Sequence, residues 1–218
     1  MDIALLYDIS YGMYVTGANE NGKLVGCITN TVVQVTNEPM TLAVCLNKDN
    51  YTYQVIAKTK KYSISILSED TNPGVITSFG FRSSKDTDKY AGFDYSMVDE
   101  LPVLNEKCCG TILCDVISVT DMGTHVIVFS NIVDTIPSEK LTPMTYSYYH
   151  KVIKGKAPKS APTYQAEAPK DEDKSKAVST VSYVCTVCGY VHEGDINEEP
   201  DDYACPICGV TKDNFVIK

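Results

Sequence analysis

The chain has 218 residues, 44% of them hydrophobic, and a net charge of −9. That is long and apolar enough for one medium domain plus a small one, and it excludes a wholly disordered chain. The acidic balance, with no basic run, argues against nucleic-acid binding. No apolar run is long enough to span a bilayer.

The first stretch, Met1 to Gly17, carries Asp2 and Asp8 and no positive n-region, so no secretory signal is expected. Residues 11 to 47 read as strands rich in Val, Ile, Thr and Tyr, broken by turn residues at 19–23 and 37–39. Asn21-Gly22 is a hairpin-turn dipeptide. Cys27 and Cys45 fall inside these strands and read as small buried hydrophobes. From Asn47 to Lys61 the pattern turns helical behind the capping residues Asp49 and Asn50. Residues 62–68 alternate as a strand. Residues 72–81 read as a short helix entered through Pro73, and 81–95 as a polar loop. Two further strands are expected at 111–120 and 124–135, with Cys108 and Cys109 just before them as structural residues. Residues 143–154 are a helix or an extended tail. About six strands with few helices give a mainly β domain, an antiparallel barrel.

Composition then shifts. Residues 165–180 lack aromatics and mix charges, which predicts a flexible linker with an r.m.s. reach of roughly 20–25 Å. Beyond it stand Cys185/Cys188 and Cys205/Cys208, two C-x-x-C pairs with sixteen residues between them, each followed by glycine. Four thiolates so spaced can surround one metal ion tetrahedrally. A structural zinc and a redox iron both suit that geometry, and spacing does not separate them. The remaining five cysteines are an odd set in a chain with no export signal, which fits a reducing cytoplasm.

The first 164 residues show no dinucleotide fingerprint, P-loop or zinc-protease motif. Of three histidines, His125 sits in a strand pattern and reads as a satisfied core or interface residue. No nucleophile elbow or carboxylate pair stands out, so no catalytic residue is assigned. A domain without its own chemistry, joined to a metal knuckle, points to a bound cofactor.

Several segments carry a resemblance. C-x-x-C-G-Y, then P-D-D-Y-x-C-P-x-C-G and K-x-x-F, resemble rubredoxin, with Tyr183, Tyr190, Tyr203 and Phe215 at the places of its aromatic core. Tyr203 stands where most rubredoxins have tryptophan, and the loop between the knuckles is shorter. GCITNTVVQVT (26–36), LNKDNYTYQVI (46–56), KYSISIL (61–67), SFGFRSSKDTDKY (78–90) and GTHVIVFSNIVD (123–134) resemble the flavin reductase-like FMN-binding split barrel. The tail from Tyr148 to Tyr164 is similar to members fused to a rubredoxin.

That resemblance implies a split barrel over 1–164, a linker over 165–180 and an Fe(Cys)4 domain over 181–218. It implies that Thr29, Asn30 and Thr31 line the isoalloxazine, and that Asn47, Lys48, Asn50, Tyr51 and Thr52 hold the ribityl and phosphate end. Arg82, Ser83 and Lys89 are further candidates for the phosphate. It implies one FMN, one iron cycling between Fe3+ and Fe2+, and a homodimer. Electrons would pass from NAD(P)H, directly or through a reductase, to FMN, to iron and on to a redox partner such as a flavo-diiron O2 or NO reductase. Residues 181–218 hold seven Asp or Glu against two Lys, a charge that would steer the small domain to a basic patch. The alternatives are a flavin-binding module with a structural zinc ribbon for docking, and a reductase that releases free flavin.

Overall fold

A computed structural model describes residues 5–6, 9–153, 155, 182–187, 190–206 and 209–217. The chain opens with a strand hairpin, β1 (Tyr14–Glu20) and β2 (Lys23–Thr29), followed by β3 (Val32–Asn37) and β4 (Met40–Asn47). The turn between β1 and β2 places Asn21 at φ 52° and Gly22 at φ 91°. Two successive left-handed residues match the twist of the strands, which is why Asn-Gly occupies them. Helix α1 (Tyr51–Thr59) starts at Asn50, whose side-chain oxygen accepts from the Thr52 amide at 2.9 Å. It ends at Lys60 in a left-handed conformation, φ 61°.

Strand β5 (Lys61–Leu67) leads to α2 (Pro73–Phe81), capped by Asn72 with Pro73 in its first turn. Residues 82–94 form turns and coil, and a short hairpin follows, β6 (Tyr95–Val98) and β7 (Leu101–Leu104). The long strands β8 (Cys108–Asp121) and β9 (His125–Pro137) come next, then α3 (Tyr146–Lys151). Cys108 and Cys109 therefore begin β8 rather than precede it.

Seven strands form one antiparallel sheet in the order β2-β1-β5-β8-β9-β4-β3. It curls until β2 and β4 face each other across an open cleft, so the barrel is split there. One apolar cluster fills its inside, with Val25, Val44, Leu46, Val55, Ile64 and Val128 among the buried residues. A second cluster holds α2 and α3 outside it, built on Val75, Phe79, Tyr90, Met144 and Tyr149. Burial of such side chains stabilises a fold by about 1.5–3 kcal/mol each.

The C-terminal unit has β10 (Ser182–Cys185), β11 (Val191–Glu193) and β12 (Phe215–Ile217) in the order β11-β10-β12. Its cluster of Tyr183, Cys185, Ile196, Cys205 and Phe215 takes Tyr190 and Tyr203 against it. The four aromatic positions read from the sequence thus meet in one small core. The expected linker at 165–180 lies outside the described residues.

Candidate functional site

The cleft between β2 and β4 has a volume of about 470 Å3, within the usual range for a small-molecule site. One side is apolar and aromatic, formed by Met13, Ile28, Ile76, Phe79, Tyr146 and Tyr149. The other is polar and joins the start of α1 to the turn after α2, with Asn47, Asn50, Arg82, Ser83 and Ser84. A flat heteroaromatic ring fits the first side. An anionic tail fits the second, where the unsatisfied amides of a helix start favour negative charge.

Lys89 is the buried cation of this site, and Arg82 an exposed one at its mouth. Its side chain is buried, with the residue only 3% exposed, yet it lines the cleft. Its ammonium donates to the Gly26 carbonyl at 2.8 Å and the Phe79 carbonyl at 3.0 Å. Ser84 grips the same Gly26 through both of its backbone groups. Its hydroxyl accepts from the Gly26 amide at 3.0 Å and donates to the Gly26 carbonyl at 3.1 Å. The turn after α2 is thus fastened to β2 at one glycine. A side chain at Gly26 would meet the Phe79 ring at 2.7 Å, so only glycine lets that ring pack there. An ammonium has three N–H donors, and two are committed. No carboxylate among the described residues pairs with Lys89, and burial pulls its pKa down to about 8. Burial likewise raises the neighbouring Cys27 thiol, against the pull of the Lys89 charge. A buried, unbalanced cation at a cleft wall is the observation that fits an anionic ligand.

Eight of the eleven expected flavin contacts line this cleft: Thr29, Asn30, Asn47, Asn50, Tyr51, Arg82, Ser83 and Lys89. Arg82 and Ser83 are exposed at its mouth. Three do not line it. Lys48 faces away and pairs with Asp121 at 2.6 Å. Thr52 is fully buried, and its amide is already used by the Asn50 cap. Thr31 stands behind Asn30, donating to its side-chain oxygen at 3.0 Å. The Thr29 hydroxyl is paired with that of Thr16 at 2.8 Å. Sequence reasoning passed over Ser84, Phe79 and the Tyr146/Tyr149 wall, although the SS doublet and the tyrosine run were visible. His125 differs from expectation too: its Nδ1 meets the Thr124 hydroxyl at 2.9 Å, but its Nε2 is buried with no partner among the described residues.

In the C-terminal unit, Cys185 and Cys205 are 1% and 2% exposed. Each begins a matching turn: the Cys185 amide donates to the Tyr190 carbonyl at 2.9 Å, and the Cys205 amide to the Val210 carbonyl at 2.8 Å. Both bonds span five residues, so the two knuckles repeat one geometry. Gly209 takes φ 67°, a conformation suited to glycine. Cys188, Gly189 and Cys208 lie outside the described residues. The described half fits a tetrahedral thiolate site.

Comparison with known proteins agrees with both halves. Residues 6–155 match the family described as flavin reductase like domain, and residues 183–216 match the rubrerythrin, rubredoxin-like domain. The high molecular weight rubredoxin of Moorella thermoacetica is 34% identical over 99% of both chains. A ferric-chelate reductase (NAD(P)H) of Archaeoglobus fulgidus is 34% identical over 75% of this chain and 98% of its own. Among solved structures, NADH:FAD oxidoreductase SgcE6 of Streptomyces globisporus C-1027 aligns with a TM-score of 0.60 at 16% identity, over 65% of this chain and 84% of its own. At that identity the likeness speaks for the fold alone.

Proposed function

This chain belongs to the flavin reductase-like family and carries a rubredoxin-like domain after it, and from that premise we propose that it passes electrons from a reduced pyridine nucleotide through bound FMN to a single iron. It is a flavin-dependent oxidoreductase and electron carrier. The observation that carries the finer reading is Lys89, a buried cation that wants an anion, at the polar side of a cleft whose other wall is aromatic.

Bound flavin converts a two-electron donor into single electrons, and an iron held by four thiolates carries one at a time. The chain's own residues do the rest. Lys89 and the start of α1 hold the phosphate, Arg82 and Ser83 close on it from the mouth, and Asn30 offers its amide to the ring edge. The Tyr146/Tyr149 wall keeps water from the ring. Cys185, Cys188, Cys205 and Cys208 hold the iron, and Tyr203 and Phe215 shield two of them.

The division at 164 and 181, with a linker between, belongs to this reading. So does a homodimer: Val33, Val35, Met40, Ile117 and Val133 are exposed on four neighbouring strands, an apolar area that a second copy would cover. Cys27, Cys45, Cys108, Cys109 and Cys114 carry thiols outside any disulfide, as in a reducing cytoplasm, and no helix among the described residues is long and apolar enough to cross a membrane. The acceptor is a redox protein with a basic docking patch, such as a flavo-diiron reductase.

The test is metal analysis with a visible spectrum of natively expressed protein, kept free of oxygen, before and after NADH or NADPH. Stoichiometric iron over a flavin spectrum, with both bleached by one nucleotide, is the expected result. Bleaching only after a separate reductase is added would move the nucleotide site to that enzyme. Zinc as the sole metal would overturn the reading and leave a flavin module with a structural staple.

A further inference from the structure

We propose that the end of the flavin domain, where the chain leaves α3 at Ile153, is the docking element for the chain's own C-terminal domain, and that it holds this domain beside the cleft. The inference rests on the functional reading above, since it concerns where the two centres meet.

Three independent observations lead there. The first is a shared contact. Ile153, just after α3, packs against the cluster that contains Met144 and Tyr149, and also against the cluster of Tyr183, Cys185, Ile196, Cys205 and Phe215. One side chain thus touches both cores, and the second core contains two of the metal-site cysteines.

The second is the exit point of the chain. Gly155 is buried against the Tyr149 ring, where a side chain would collide with that ring. Its amide donates to the Tyr149 carbonyl at 3.0 Å, and its carbonyl meets His150 Nδ1 at 2.7 Å. The pinning holds the start of the connecting segment to a residue that lines the cleft. A tether that begins at the cleft wall keeps its cargo at high effective concentration there.

The third is charge. The sequence around this exit, Lys151-Val-Ile-Lys-Gly-Lys156, carries three lysines, whereas residues 181–218 hold seven acidic residues against two lysines. Basic charge of the kind the acidic domain seeks is present in the chain's own sequence, with Lys151 exposed at the end of α3. Apolar contact at the centre with opposite charges around it is the usual make-up of a transient interface. The tethered arrangement also leaves the acidic face available to an external partner once the contact opens.

The test uses the full-length chain, with Ile153→Asp to break the apolar contact and Lys151→Glu to reverse an exposed charge without touching the core. Small-angle scattering of the wild-type protein at low salt should give a compact particle. Its radius of gyration should rise in both variants and at high salt. With both centres loaded, flavin bleaching should keep its wild-type rate while the iron bands bleach about tenfold more slowly, the loss of a contact of roughly 1.4 kcal/mol. A wild-type particle already extended at low salt, or variants whose scattering and iron bleaching match the wild type, would overturn the proposal. A chain that holds zinc in place of iron, or no flavin, would sink the functional reading, and the scattering of the folded, metal-loaded chain would still decide the docking.

Discussion

Lys89 and Gly26 meet at 2.8 Å, a buried ammonium on the carbonyl of a mid-strand glycine, and this bond fixes the electrostatics of the cleft. It brings positive charge to the wall with no carboxylate among the described residues paired to it. The charge is costly in the empty protein, which is why burial lowers the Lys89 pKa to about 8 from the usual lysine value. A bound phosphate dianion would remove that cost by favouring the charged form.

The sign of a pH effect follows. In flavin-free protein Lys89 loses its proton near pH 8, and an anion bound beside it raises the value again, so FMN binding takes up a proton above pH 8. Affinity for FMN should be flat from pH 7 to 7.5 and fall as pH rises from about 8 to 9.5. Lys89→Met should lose roughly ten- to a hundredfold in affinity at pH 7 and lack that fall. Fluorescence titration of the flavin-free protein reads both. An equally steep fall in the methionine variant would assign the titration to another group.

Lys48 gives the opposite expectation. It is partly exposed and tied to Asp121 at 2.6 Å, and that carboxylate lies 2.8 Å from the Gly123 amide as well. The Lys48 ammonium is thus engaged away from the cleft. Lys48→Ala should change FMN affinity by less than about threefold, because exposed ion pairs contribute little. A tenfold loss would show that the pair opens and Lys48 turns to the ligand.

Asn50 separates folding from binding. Its side-chain oxygen caps α1 through the Thr52 amide, and the residue lines the cleft. Asn50→Asp keeps a good cap and places a negative charge toward the phosphate. Thermal stability of the flavin-free protein should stay within about 0.5 kcal/mol of wild type, while FMN affinity falls by at least about tenfold. Asn50→Ala should instead cost about 1 kcal/mol of stability through the lost cap. A stable aspartate variant with unchanged affinity would remove the α1 start from the phosphate site.

How much of this was legible in the sequence depends on range. Local chemistry was readable. Asn21-Gly22 marked its hairpin, Asn50 and Pro73 marked their helices, and alternation marked β5. The β6–β7 hairpin was missed because its residues, Tyr95 to Leu104, hold a proline and pack against β1 and β5 from a distance, with no clear period of their own. Lys89 was a candidate among polar neighbours, but nothing local distinguishes a buried ammonium from a solvated one. That needs the carbonyls of Gly26 and Phe79, far along the chain. Lys48 and Thr52 are candidates only through the family resemblance; the pull of Asp121 takes the Lys48 side chain away from the cleft, and the first turn of α1 buries Thr52.

The C-terminal unit yields the last expectation. Its cluster contains five buried residues, two of them the cysteines Cys185 and Cys205, so little apolar area remains to hold it without metal. Metal binding there should be inseparable from folding of that unit, and worth on the order of 10 kcal/mol by comparison with other thiolate sites. A Cys185→Ser and Cys205→Ser double variant should retain no iron and lose hydrogen-exchange protection from Tyr183 to Ile217. The barrel has three clusters of its own and shares no metal ligand with the unit, so its flavin spectrum and melting transition should persist. Protection that survives in the double variant would mean that the aromatic cluster folds alone and the metal serves electron transfer only.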